Sequence, residues 1–184
     1  MNIHASKFPL TTLLIAVLLF TCAGSASARE PLENKASYWV NAGLGFSSLG
    51  FLAGSASVSY QTGAGVFTLR GATNSETLFG GDEVWDTALL YGFSLKPSLF
   101  HVSAGIGIAV VGGWRCETCG LHLFGDTGND EKTKIGPRIG LPLELQVFFR
   151  PLSFLGIGLY GFADINAARS FAGVTFCLQI GKLR

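Results

Sequence analysis

Apolar residues recur at every second position along most of this chain, and beyond the N-terminus no stretch keeps a helical stripe for long. The clearest run is Ile135 to Phe149. Ile135, Pro137, Ile139, Leu141, Leu143, Leu145, Val147 and Phe149 fall on one face, and Gly136, Arg138, Gly140, Pro142, Glu144, Gln146 and Phe148 on the other. Leu52 to Gln61 repeats the pattern, with Ala56, Val58 and Tyr60 against Ser55, Ser57, Ser59 and Gln61. So does Leu99 to Val110, with Phe100, Val102, Ile106 and Ile108 against His101, Ser103, Gly105 and Gly107. A period of two is the signature of strands whose two faces meet different surroundings.

Such segments fall at 38–48, 52–61, 64–73, 84–96, 99–111, 135–149, 154–166 and 171–183. Each is near or above the roughly nine to eleven residues that a tilted membrane strand requires. Their connections alternate in length. Gln61-Thr-Gly-Ala64, Lys96-Pro-Ser98 and Arg150-Pro-Leu-Ser153 are tight turns, with Gly and Pro supplying the turn chemistry, whereas 74–83 and 112–134 are long and polar. An even strand count with short turns at one end and longer loops at the other predicts an all-β fold: a closed eight-stranded antiparallel transmembrane β-barrel over 38–184, with both chain ends on the short-turn side.

Alternation alone does not say which face is outside. A soluble lipocalin-type barrel would need a solvated outer face rich in Lys and Glu. Here the polar faces carry Gly, Ser, Ala and Thr with isolated charges at Arg70, Asp86, Arg138, Glu144 and Asp164, which suits a narrow interior. The Leu, Ile, Val and Phe faces suit lipid, and Val58, Leu69, Leu89, Ile106, Leu143, Ile157 and Val174 are expected to point outward. Trp39, Tyr60, Trp85, Phe93, Phe100, Phe149 and Phe154 lie near strand ends, where interfacial girdles form.

The N-terminus differs. Lys7 precedes the apolar run Leu10 to Phe20, which would rise only about 16 Å as a helix, too short to cross hydrocarbon. Ala26-Ser27-Ala28 then matches a small-residue cleavage site. Residues 1–28 read as a signal peptide, 29–37 as a short lead-in; acylation at Cys22 is the weaker alternative because Thr21 precedes it. Charged residues make up 14% of the chain and the net charge is +1, which gives no argument for nucleic acid. Past the cleavage site three cysteines remain, an odd number that excludes a full disulfide framework.

The final strand, Phe171-Ala-Gly173-Val-Thr-Phe176-Cys-Leu178, together with the strand count and the turn asymmetry, resembles the small outer-membrane β-barrels of the outer-membrane protein A and X type. The resemblance covers about 38–184. It implies the outer membrane of a Gram-negative bacterium, contact with outer-membrane lipid and lipopolysaccharide, and recognition of the last strand by barrel-assembly machinery. It implies no activity and no cofactor. The chain departs from the pattern by ending Gly181-Lys-Leu-Arg184 without a terminal Phe.

Three features carry candidate chemistry. His101-Val-Ser103 puts a base and a hydroxyl on one strand face and resembles the His-x-Ser of outer-membrane lipid A deacylases, yet it follows the Lys96-Pro-Ser98 turn, away from the outer leaflet. Arg70, Asp86, Arg138, Glu144 and Asp164 form a candidate lumenal charge network, because buried charges must be paired. Cys116-Glu-Thr-Cys119-Gly-Leu-His122 reads as a Cys116–Cys119 disulfide in an oxidising compartment, ahead of free thiols and of a zinc site that lacks a fourth ligand. The leading expectation is a non-enzymatic envelope protein whose loops 74–83 and 112–134 form an interaction surface; a lipid-modifying enzyme and a small pore are the alternatives.

Overall fold

The computed structural model describes residues 36–77, 80–95, 99–116 and 132–183. The candidate signal peptide 1–28, Cys22, Cys119 and His122 lie outside them. Eight strands follow in order: β1 (Ser37–Ser47), β2 (Gly50–Thr62), β3 (Gly65–Thr77), β4 (Gly80–Leu95), β5 (Phe100–Cys116), β6 (Lys132–Phe149), β7 (Leu155–Asn166) and β8 (Phe171–Lys182). Each pairs antiparallel with its sequence neighbours, and β1 pairs with β8 from Tyr38↔Lys182 to Ser47↔Gly173, so the sheet closes on itself.

Side chains sort by the expected period. Val58, Leu69, Leu89, Ile106, Ile157 and Val174 stand on the outer surface, 40% to 58% exposed, while Leu143 shares their face and is half-buried. Val84, Leu90, Val111, Phe148, Tyr160 and Phe162 fill the interior together with the polar residues of each strand. Such an outer surface is stable in hydrocarbon and not in water, because nothing polar covers it. At the tight-turn end the outer aromatics cluster: Phe67 and Tyr91 have ring centroids 4.8 Å apart, Tyr91 and Phe93 6.0 Å, Phe100 and Phe149 5.5 Å. Trp39 departs from the expected girdle. It shares the face of Ser37 and Asn41, is fully buried, and packs with Val66 and Leu183 to close the turn end of the lumen.

Narrowness has a local cause. A side chain on lumen-facing Gly92 would place its Cβ 1.9 Å from the Ala104 carbonyl oxygen, and one on Gly107 the same distance from that of Leu89. Glycine lets the sheet bend sharply enough to close with eight strands.

The outer ends of the central strands run further than hydropathy suggests. Ser75↔Glu83 and Thr77↔Gly80 are still paired, so most of the expected loop 74–83 is ladder. Likewise Arg115↔Thr133 and Cys116↔Lys132 pair, so 112–116 and 132–134 of the expected loop 112–134 belong to strands. Backbone pairing continues in water with polar side chains, so the end of an apolar run marks the membrane edge and not the strand end.

A bulge lies in β6. Val111 faces Arg138 while Gly113 faces Ile135, so one strand spends two steps where the other spends three. Pro137, which lacks an N–H, is tolerated at such a place. The extra residue reverses the faces beyond it. Ile135, expected on the lipid side, packs against the lumenal cluster with Leu49, and Lys134 turns outward with Nζ 5.8 Å from the Trp114 ring centroid. On its other flank β6 stands alone here, since β7 begins to pair only at Gly140↔Asn166.

Replacing outward-facing Leu89 with Arg should cost about 2–4 kcal/mol near the bilayer midplane. Denaturant titration of vesicle-inserted protein measures this, and an unchanged midpoint would place Leu89 away from lipid.

Candidate functional site: the lumen and its outer rim

The lumen is where the chain gathers its polar chemistry, because every strand turns its non-lipid face there. Near the middle of the strands, Arg70 on β3 donates through Nη2 to Asp86 Oδ2 on neighbouring β4, and through Nη1 to the Leu143 carbonyl oxygen on β6 at 3.1 Å. Asp86 Oδ1 accepts from the Ala72 N–H at 3.1 Å, so the carboxylate is held on two sides. The guanidinium carbon also sits 5.6 Å from the centre of the Phe162 ring. Arg70 therefore spans the barrel and ties β3, β4, β6 and β7 together.

Glu144 on β6 is also buried but its partners are uncharged: Tyr160 O–H donates to Oε2 at 2.5 Å and Gln146 Nε2 to Oε1 at 3.2 Å. The chain of contacts continues as Asn41 Nδ2 donates to both Gln146 Oε1 and Ser57 Oγ at 3.2 Å each. Asp164 on β7 accepts from Asn166 Nδ2 at 2.9 Å, whereas its Oδ2 is buried without a partner among the described residues. Closer to the tight turns, Arg150 Nε donates to Gln179 Oε1 at 2.7 Å and the guanidinium lies 5.0 Å from the Trp39 ring centre. Cys177 is a buried free thiol, 3.3 Å from Thr175 Oγ1 and 3.6 Å from Ser55 Oγ.

Four of the five candidate charges, Arg70, Asp86, Glu144 and Asp164, are thus interior, and of these Arg70 and Asp86 form an ion pair. Arg138 does not join them. It is exposed, because it sits at the β6 bulge above the point where β7 ends, so no wall encloses it. Tyr160, Asn41, Arg150 and Gln179 belong to the lumenal network and go beyond the expected charge set, as does Gln146, which was expected on the polar face but not as a partner of Glu144. For Tyr160 and Arg150 the signal was present, since they share parity with Asp164 and Glu144.

At the outer mouth Arg169, in the turn between β7 and β8, pairs with Asp82 at the start of β4, joining opposite walls of the barrel. Asn166 organises that turn by accepting from the N–H groups of Ala168 and Arg169 at 2.9 and 2.7 Å. Below this bridge lie Phe171, Phe162, Tyr160 and Arg70; at the other end lie Trp39, His101, Arg150 and Leu183. The lumen is filled by side chains.

His101 is fully buried at the turn end, with Nε2 3.1 Å from Ser94 Oγ and its ring edge-on to Trp39 at 4.9 Å. Ser103, two residues on, is buried and its hydroxyl has no partner among the described residues, so the His-x-Ser resemblance does not correspond to an assembled pair. No group of three or more His, Cys, Asp or Glu side chains is placed to hold a metal ion among the described residues.

Replacing Arg70 with Met should cost about 3–5 kcal/mol by orphaning Asp86, and adding Asp86→Leu should restore a large part of it. Arg138→Leu, by contrast, should stay within about 0.5 kcal/mol. Equilibrium unfolding of the three proteins in vesicles decides; a double variant no more stable than Arg70→Met would show that the pair is not what Arg70 contributes.

No family model matches this sequence, and no curated protein matches it in sequence. Solved structures do match in shape. The N-terminal β-barrel domain of Pseudomonas aeruginosa OprF is 8% identical, over 79% of this chain and 96% of that one, with a TM-score of 0.56. Neisserial surface protein A (NspA) is 8% identical over 79% of this chain and 94% of its own, with a TM-score of 0.54. At such identity the likeness is one of fold, and the fold is the eight-stranded closed barrel of these outer-membrane proteins.

Proposed function

We propose that this chain is a non-enzymatic outer-membrane barrel protein of a Gram-negative envelope, exported by residues 1–28 and presenting its β5–β6 hairpin outside the cell. The observation that carries this reading is the inversion of the barrel: an outer surface of exposed Leu, Ile, Val and Phe around a polar, side-chain-filled lumen. A pore would need an open lumen, and here Arg70, Tyr160, Trp39 and Phe148 occupy it. A lipid-modifying enzyme would need a base and nucleophile at the outer rim, whereas His101 and Ser94 face each other at the opposite end, inside the wall.

What remains for function is the outer rim. The wall is uneven there, since β3 to β6 continue past β7, which ends at Asn166. Arg115, Lys134 and Arg138 are exposed on this projection, and residues 117–131 join its two strands. We assign 117–131 as the contact surface, with Cys116 and Cys119 oxidised to stiffen its base. The outward residues of β8, Val174, Phe176, Leu178 and Ile180, form the edge offered to barrel-assembly machinery before β1 closes on it.

Replacing 117–131 with a short turn should leave folding and heat-shifted migration intact, because loop length costs little in such a scaffold. In intact cells, added protease should cut the wild-type chain within 117–131 and spare the turns at 62–65 and 150–153. Cleavage at those turns instead would invert the topology, and failure of the shortened protein to fold would make the segment structural.

A further inference from the structure

The end of β6 beyond β7 is laddered on one side alone. From Lys132 to Ile139 the strand pairs with β5, while on its other flank pairing starts only at Gly140↔Asn166, where β7 ends. The flank of 132–139 therefore has no neighbouring strand among the described residues. It is open as well as unpaired: Thr133, Gly136, Pro137 and Arg138 are exposed, and a Cβ built on Gly136 would meet nothing within 4 Å. In hydrocarbon a free row of backbone N–H and C=O groups is excluded, whereas in water the same row is a template for another strand. The exposed charges of Lys134 and Arg138 on this stretch suit water.

The residues of the edge restrict what can pair with it. Pro137 offers no N–H and sits at the β6 bulge, so the regular part of the flank is 132–136, enough for a short added strand. Bulges, prolines and lysines are the means by which natural edges refuse unwanted strands, and here the refusal is selective. Between Lys132 and Ile139 the sequence holds two lysines and an arginine and no acid, and the exposed Arg115 on β5 adds to them. A second copy of the barrel fits poorly, because it would set Lys134 and Arg138 against the same cations. An acidic strand gives those cations partners across the new ladder.

We propose that the flank 132–136 of β6 accepts an extended acidic segment of another protein as an added strand, continuing the β5–β6 ladder and bringing carboxylates beside Lys134 and Arg138. The inference rests on the reading of the β5–β6 hairpin as external, and it names the chemistry of a partner for that rim. Backbone bonds supply affinity with little regard to side chains, while the cations choose among sequences.

The test uses the full chain folded into detergent micelles, which leave both ends of the barrel open to solvent, with heat-shifted migration confirming the fold. The fluorescent probes are a short extended peptide with Glu at alternate positions, the same peptide with Lys in place of Glu, and Glu peptides N-methylated on either set of alternate residues. The Glu peptide should bind at least about tenfold more tightly than the Lys peptide. One of the two methylated forms should bind about tenfold more weakly than the parent, because only the amides along one side of an added strand face β6. Lys134→Glu with Arg138→Glu should invert the preference for charge; should that variant fail to fold, Lys134→Gln with Arg138→Gln should abolish it. Both methylated forms binding like the parent would reduce the site to a charged patch and overturn strand addition, and so would a folded wild type that does not bind the Glu peptide. The same titration on intact cells separates the two readings: binding in micelles without binding on cells overturns the external placement of the hairpin and leaves the acceptor edge standing.

Discussion

Within hydrocarbon a peptide N–H or C=O has no water to fall back on, and each one left unpaired costs several kcal/mol. The pairing of β1 with β8 is therefore the contact on which the structure depends, because it removes the last open edges of the sheet. Closure then dictates the rest. It needs an even number of antiparallel strands for both ends to meet on one side, and it divides every strand into a lipid face and a lumenal face. With eight strands the lumen is too narrow for bulk water, so the lumenal faces must satisfy one another.

How they do so separates two kinds of buried charge. Arg70 and Asp86 compensate directly on neighbouring strands, with the Ala72 N–H and the Leu143 carbonyl taking up further bonding capacity. Glu144 relies on neutral donors, Tyr160 and Gln146. Replacing such a pair with well-packed apolar residues often costs nothing, so its presence is better explained by register than by stability. A one-residue slip of β3 against β4 would send Arg70 into lipid, which makes the pair an electrostatic check on strand alignment. The Arg169–Asp82 bridge acts at the mouth, where it links β4 to the turn opposite.

The strand count was legible because lipid on one side and a sealed lumen on the other impose the same period on every strand. Boundaries at the tight turns were close for the same reason: there the ladder ends where the membrane ends. At the outer side the two part company, and hydropathy could not show that Asn74 to Thr77 and Arg115 to Cys116 remain paired in water. The charge network was legible where alternation held without interruption, as at Arg70, Asp86 and Glu144. It misled at Arg138 because the β6 bulge and the early end of β7 are properties of pairing, invisible in the spacing of β6 itself. Trp39 was misread for a different reason. Aromatic character near a strand end suggested a girdle, yet parity with Ser37 and Asn41 already placed it inside, and parity is the stronger constraint.

Around its circumference the barrel is not uniform, and the unevenness has a physical logic. From β5 to β6 the outer wall rises past the rim and then drops at β7, leaving Ile139 the most exposed large apolar residue among those described, at 74%. The bulge at this step turns Lys134 outward onto Trp114, as suits a side chain at the polar boundary of a membrane, and turns Ile135 inward to help cap the lumen. Over β1 to β4 the lipid face carries the small residues Ala56, Gly71 and Thr87. A scaffold selected only to close needs neither feature. The tall sector carries backbone pairing beyond the apolar run of its strands, while the small residues of β1 to β4 leave a shallower lipid face. The first departure lies on the outer half of the barrel and the second at mid-strand, and the turn side stays plain: short turns, an aromatic cluster and a lumen stopped by Trp39 and Leu183. The asymmetry between the ends is thus chemical as well as topological.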